Sequence, residues 1–222
     1  MVNRMRVDEL FEAGHSLAFE YLRRLEWPWD ALGQISDYIT RLGAQLSESE
    51  YDILPDGVWI HKTAHVAPTA FIGPRTIIGQ GTEVRHCAYV RGNALVGEGA
   101  VVGNSTELKN VILFDGVQVP HYNYVGDSIF GYKSHMGAGA ITSNVKSDSS
   151  LVSVAYDGGR IETGLKKFGA ILGDNVEIGC NTVLNPGTVI GKYTNVYPLS
   201  MVRGFVPKKS IYKKQGEIAE KI

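Results

Sequence analysis

The chain has 222 residues, enough for one or two domains and a sizeable core. Its 22 Lys and Arg nearly balance 23 Asp and Glu, which excludes a broad basic field for nucleic acid or membrane but leaves room for a local basic pocket. Two cysteines, Cys87 and Cys180, suggest neither a disulfide framework nor a cysteine zinc site. The first residues, MVNRMRVDELFEAGHS, lack the long apolar core of a signal peptide, and no run of about 18 apolar residues occurs. These features predict a soluble, cytoplasmic protein with no nucleic-acid or membrane partner.

In chain order, residues 1–57 read as a helical region. Residues 5–25 carry Leu10, Phe11, Leu17, Tyr21, Leu22 and Leu25 at helical spacing, and Trp27-Pro28-Trp29 breaks the run. Residues 30–46 repeat the pattern with Leu32, Ile35, Ile39, Leu42 and Leu46. The expectation is an α-helical hairpin that caps or flanks the start of whatever follows, joined to it by SESEYDILPDG.

From residue 58 the period changes. Val66, Ile72, Ile78, Val84, Val90, Val96, Val102 and Leu108 recur every sixth position. Four positions after each of the first seven comes a small residue: Ala70, Thr76, Thr82, Ala88, Ala94, Ala100 and Thr106. The phase slips after Leu108, resumes at Leu113, Val119 and Val125, slips to Phe130 and Met136, and returns as Leu172, Ile178, Leu184, Ile190 and Val196. Neither 3.6 nor 2 explains six. A hexapeptide period belongs to a parallel β-helix, in which three short strands make a triangular coil of about 18 residues. The aliphatic residue points into the prism, and each coil buries its face only against its neighbours. Residues 58–205 are therefore expected to form about six coils. The repeat is interrupted at 142–171, where VSVAYDGGRIET predicts a hairpin around Asp157-Gly158-Gly159. A long loop leaving a regular solenoid is usually functional. The tail, 206–222, is short and charged and has some helical character.

One rung departs from the monotony. VPHYNYVGDSIFG, residues 119–131, keeps Val119 and Val125 six apart but crowds His121, Tyr122, Asn123, Tyr124 and Asp127 between and after them. His121 is the third residue of its hexad, free to project from the prism, and Asp127 is placed to brace the backbone or to orient the histidine.

Together with YVRGNALVG, VGNSTELKN, MGAGAITSN and KFGAILGDN, this rung resembles the left-handed β-helix acyltransferases. Residues 84–200 resemble most the acetyltransferase domain of the bifunctional N-acetylglucosamine-1-phosphate uridyltransferases, whose GHxxYxGD…G…GAGT pattern appears here as PHYNYVGDSIFG…GAGA. That family's nucleotidyltransferase domain, with its AAGxGTRM type of loop, has no counterpart in the sequence, so no pyrophosphorylase activity is expected.

The resemblance implies a mainly β, left-handed parallel β-helix that assembles as a homotrimer and moves an acetyl group from acetyl-CoA to the amine of a sugar phosphate or nucleotide sugar. A histidine suits the base, since an ordinary imidazole titrates near neutrality; by resemblance it is His121. Arg91 and Lys109 align with phosphate-binding cations, Tyr124 with a sugar-contacting tyrosine, and Lys167 with a loop lysine that closes over substrate. Ala138, Asn144, Cys180 and Pro198 fall where the family lines its pantetheine groove. The family's NIGAGTITCNYDG is here HMGAGAITSNVKSD, so His135 replaces a sugar-contacting asparagine and Val145 a tyrosine beside the coenzyme.

Three alternatives stay open. The chain could be a noncatalytic sugar-nucleotide binder or assembly module. It could acylate a different amino or hydroxy sugar. Or it could resemble the γ-class carbonic anhydrases, which share the fold and bind zinc. The last lacks its H-x₄-H pair, since the residue five after His121 is Gly126, and no metal ligand set is assigned.

Overall fold

Most hexads fold as one short strand. The computed structural model describes residues 2–221. The chain winds a mainly β solenoid of about nine turns with few helices, rather than six coils. Three columns of stacked parallel strands form its faces. The first runs from Val58–His61 through Thr76–Ile78 and Ala94–Val96 to Phe205–Val206. The second runs from His65–Val66 to Ser210–Lys214, and the third from Phe71–Ile72 to Met201–Val202.

The hexad aliphatics Ile78, Val84, Val90, Val96, Val102 and Leu108 are all fully buried, as are the small Thr76, Thr82, Ala94 and Thr106 beside them. Stacked partners lie one coil apart, as in Thr76 against Ala94. One residue is lost where Ala94 meets Val111 and Val101 meets Gln118, which is the phase slip after Leu108. Here Glu107–Leu113 and Tyr124–Phe130 run continuously around a corner, with Asn110 and Asp127 at positive φ of 56° and 48° making the bend. Asn and Asp tolerate that conformation better than other side-chain-bearing residues.

The N-terminal region is not a helical hairpin. It comprises short helices at Val7–Leu10, Phe19–Leu22 and Ile35–Gly43, with 3₁₀ turns at Val2–Met5 and Pro28–Ala31. Gly14, at φ 86°, splits the first expected helix, and Leu17 from its apolar stripe faces solvent. Nor does this region cap the solenoid. It lies along its side as a strap: Phe11 packs on Phe114, and Trp29 on Phe168. The Asn110 amide donates to the Leu32 carbonyl at 2.9 Å.

The ends are closed by antiparallel strands, which protect the exposed edges. Tyr51–Leu54 folds back on Val58–His61. At the other end the tail is a hairpin, Ser210–Lys214 with Glu217–Glu220, not a helix, and its first strand continues the second face. Among the described residues no helix is long and apolar enough to cross a membrane.

Asp174 fastens the strap. Its carboxylate accepts the backbone N–H of Glu12 at 2.7 Å and of Tyr132 at 2.8 Å, and its own N–H donates to the Leu10 carbonyl at 3.0 Å. Burial pushes its pKa up to about 6, against the opposing pull of those two N–H groups and Lys192. A raised carboxyl pKa means that the folded state binds the proton more tightly than the unfolded state. This group's contribution is therefore fully present below the unfolded value near 4 and declines as pH rises through about 6. The stability of the native chain relative to Asp174→Asn is expected to fall by roughly 2–3 kcal/mol between pH 4 and 7.5. Paired urea titrations at those two pH values check this; a constant difference would remove Asp174 as the titrating clasp.

Candidate active site

The second face ends, in one rung after another, at the corner that carries His121. Gln118 pairs with His135, His135 with Glu177, and Glu177 with Asn195. Three positions further along each strand lie His121, Ala138, Cys180 and Pro198, which therefore form one line parallel to the solenoid axis. Backbone hydrogen bonds tie it together: Gly139 N–H to the His121 carbonyl at 3.0 Å, Asn181 to Ala138 at 2.9 Å, and Leu199 to Cys180 at 2.9 Å. The His121 side chain is exposed and its imidazole makes no hydrogen bond among the described residues. Its backbone is fixed by Asn123, a buried residue whose Oδ1 accepts the His121 N–H at 3.1 Å. The Asn123 amide donates to the carbonyls of Gly137 and Ala140 in the next coil at 2.9 and 3.0 Å.

A second polar cluster occupies the opposite end of the third face. Asp127 is its centre, with a side chain only 5% exposed. Its Oδ1 accepts from Lys109 Nζ at 2.9 Å and Asn110 Nδ2 at 2.9 Å; its Oδ2 accepts from Lys109 at 3.0 Å and Asn144 Nδ2 at 2.5 Å. The same Asn144 amide lies 3.3 Å from the Tyr124 hydroxyl. Burial, then the Asp127 and Glu107 carboxylates, push the Tyr124 phenol pKa up, which keeps it a hydrogen-bond donor. One coil before Lys109, Arg91 Nη1 donates to Glu107 at 2.9 Å.

The expected residues thus fall into two groups. His121, Ala138, Cys180 and Pro198 share one corner. Arg91, Lys109, Tyr124 and Asn144 gather at the other, so Asn144 stands apart from the rest of the expected coenzyme groove. Lys167 is exposed on the limb returning to this second corner, where Phe168 N–H donates to the Asn144 carbonyl at 3.0 Å and Gly169 N–H to the Asp127 carbonyl at 2.8 Å. His135 starts the second face in the coil after His121 and pairs through Nδ1 with Glu177 at 2.8 Å. Val145 is exposed at the start of the inserted loop.

Asp127 touches Lys109, Asn110 and Asn144 rather than His121, so it does not orient the imidazole. Asn110 and Asn123 are not among the residues expected at the site, yet both anchor it. Their signal was an asparagine at a strand corner, where its side chain can reach neighbouring backbone. Both cysteines are free and exposed. Among the described residues no group of three or more His, Cys, Asp or Glu could hold a metal ion.

No family model matches the sequence. The chain is 36% identical over 109 residues to a bifunctional sugar-1-phosphate nucleotidylyltransferase/acetyltransferase of Sulfurisphaera tokodaii, covering 49% of this chain and 27% of that protein. It is 32% identical over 159 residues to the bifunctional protein GlmU of Methanococcus vannielii, covering 71% of this chain and 34% of the relative. The matched region thus spans about a third or less of these curated relatives. A crystal structure of a hexapeptide transferase family protein from Anaplasma phagocytophilum superposes with a TM-score of 0.50 at 16% identity, over 75% of this chain and 81% of that one. In sequence the chain resembles the C-terminal regions of GlmU-type acetyltransferases, and in fold a hexapeptide transferase.

Proposed function

We propose that this chain is the subunit of a homotrimeric acetyltransferase that moves the acetyl group of acetyl-CoA to the amine of a sugar phosphate or nucleotide sugar. The observation that carries this reading is the line His121, Ala138, Cys180, Pro198. It provides an imidazole with no hydrogen-bond partner among the described residues, at the head of a strip of backbone along which an extended thioester can lie. The amine nitrogen bonds the thioester carbonyl carbon while the imidazole takes the amine proton. The carbon–sulfur bond then breaks and the proton passes to the departing thiolate, which balances the reaction.

Two features support assembly. The cations that suit an acceptor phosphate stand across the third face from His121, so a site containing both needs the His121 corner of one chain and the Arg91–Lys109 corner of the next. The surface between is apolar enough to be covered: Phe71 is 57% exposed, Tyr122 64% and Leu199 80%. Arg91 spends one N–H on Glu107, and a guanidinium has several to give. Lys109 keeps a third ammonium proton beyond its two contacts with Asp127.

The test is release of free thiol from acetyl-CoA with a panel of amino-sugar phosphates and nucleotide sugars, run beside light scattering. Turnover by a trimer is expected; a stable monomer at micromolar concentration, or no thiol release with any acceptor, would sink the reading. Arg91→Ala is expected to raise KM for a phosphorylated acceptor by roughly 5- to 100-fold, the scale of a charge-assisted hydrogen bond, with little change in kcat. Mixing inactive His121→Ala chains with Arg91→Ala chains at low acceptor concentration should restore about a quarter of the interfaces to native composition. Absence of any recovery would place both residues in one chain's site.

A further inference from the structure

We propose that the cavity between the inserted hairpin and the C-terminal coils binds the diphosphate group of a nucleotide ligand. The hairpin, Ser153–Tyr156 with Gly159–Glu162, lies over the corner between the third and first faces, far along the axis from Arg91. Between it and the coils is a cavity of about 380 Å³, lined by Lys146, Arg160 and Arg203 with a single carboxylate, Asp148.

The charges do not cancel. Lys146 lies 3.7 Å from Asp148 and also bonds Ser150. Arg160 and Arg203 have neither an ion pair nor a side-chain hydrogen bond among the described residues. Two guanidiniums, from the hairpin and from the coil, therefore face one space with ten N–H donors unused. The hydroxyls of Ser143 and Ser153 line the same space, also without bonds of their own among the described residues. Arginine pairs recognise phosphoryl oxygens by this fork geometry.

The site is built rather than incidental. Val152 and Val154, which carry the hairpin, are fully buried. The hairpin backbone sits so close to the coils that a Cβ at Gly187 would lie 2.7 Å from the Ser153 carbonyl oxygen, and one at Gly204 would strike Ala155. Both glycines have positive φ. The frame that sets Arg160 against Arg203 is therefore fixed by backbone contact.

The position identifies the class of ligand. Tyr124, Ile141, Val183 and Met201 pair in succession. Two residues on, Arg203 falls on the same corner line as Arg91 and Lys109. Four strand spacings of about 4.8 Å separate Lys109 from Arg203, roughly 19 Å. One phosphate cannot reach both, but a sugar phosphate at the first site and a nucleotide diphosphate at the second can share the corner. Two sources carry that diphosphate, coenzyme A and a nucleotide sugar. The choice between them rests on the transferase reading; the anion site itself does not.

Inorganic pyrophosphate is titrated calorimetrically into the full chain at low salt, then into Arg160→Gln/Arg203→Gln and into Arg24→Ala as a distant charge control. Binding at least tenfold weaker in the double variant, with the control unchanged, is expected; affinity within twofold of native overturns the proposal. If the double variant does not fold, Arg160→Gln alone, on the exposed hairpin, carries the test and should weaken binding several-fold. Coenzyme A and UDP-N-acetylglucosamine are titrated in parallel. The source is the one whose affinity falls with that of pyrophosphate, and unchanged affinity for both overturns the nucleotide assignment. A native chain that binds pyrophosphate through these arginines but transfers no acetyl group would defeat the transferase reading and leave the anion site standing.

Discussion

His121→Ala is expected to lower kcat for acetyl transfer by roughly 10²–10⁴, the range of a lost general base. The structure makes this an unusually clean substitution. The imidazole is exposed and has no hydrogen-bond partner among the described residues, so its removal leaves no buried group unsatisfied. What holds the corner is backbone: the His121 N–H to Asn123, and the His121 carbonyl from Gly139. Neither depends on the side chain. Surface changes of this kind usually stay within about 0.5 kcal/mol. Thermal midpoint, oligomeric mass and coenzyme A affinity should therefore match the native chain while turnover collapses. Asn123→Ala separates the roles. It removes the buried amide that ties the corner to Gly137 and Ala140, and should cost stability and turnover together. Full turnover by His121→Ala with an acceptor the native chain uses would make the histidine an ordinary rung residue.

The rungs were legible because each solves the same packing problem. An inward aliphatic and a small corner neighbour are required at every level, so the pattern repeats in the sequence as it does in space. The number of rungs was less legible. The interruption at 142–171 runs up to the repeat's return at Leu172, yet Ala170 and Ile171 already belong to that rung: Ala170–Leu172 stacks on Tyr124–Phe130 and on Thr188–Ile190. Ser210–Lys214 lies beyond the expected end of the coils at residue 205, yet it pairs with Asn195–Val196. The last rung places Tyr212 in the inward column, on Val196, where inner rungs use smaller aliphatics, because it closes the prism against solvent. The strap was the hardest to read. Apolar residues at helical spacing report which side is buried, not whether one helix or several short turns present it. The flat side of a solenoid accepts either. At the candidate site, the residue types in VPHYNYVGDSIFG single out one rung of the repeat. Periodicity alone did not say that His121 and Asp127 bend away at opposite ends of one short face.

Asp127→Ala is expected to destabilise the chain by about 2–4 kcal/mol, more than any other single polar change at this corner. Three donors converge on its carboxylate: the Lys109 ammonium and the amides of Asn110 and Asn144. They come from two segments and, through Asn110, tie in a third. Lys109 and Asn110 belong to the coil before, Asn144 begins the inserted loop, and Asn110 also reaches the strap at Leu32. Removing the carboxylate strands a cation and two amides around an apolar methyl. Breaking a fully buried pair costs about 3–5 kcal/mol, but the Lys109 side chain is 24% exposed, so water recovers part of that loss. A backbone contribution acts in the same direction, because Asp127 sits at φ 48°, where alanine is strained. Asp127→Asn separates the two effects. It tolerates the bend and keeps one acceptor oxygen, yet leaves Lys109 without its counter-charge, so its cost should be intermediate. Urea unfolding at fixed protomer concentration gives the order native, Asn, Ala, from most to least stable. Because the Asp127 carbonyl also receives the Gly169 N–H, the Ala variant should lose hydrogen-exchange protection at Gly169 and Phe168 before the coils themselves open. Lys109 would then no longer be aimed along the corner, and KM for a phosphorylated acceptor should rise with the loss of protection. An Ala variant within 0.5 kcal/mol of native, with Gly169 still protected, would show that Lys109, Asn110 and Asn144 are positioned by the coils and not by Asp127.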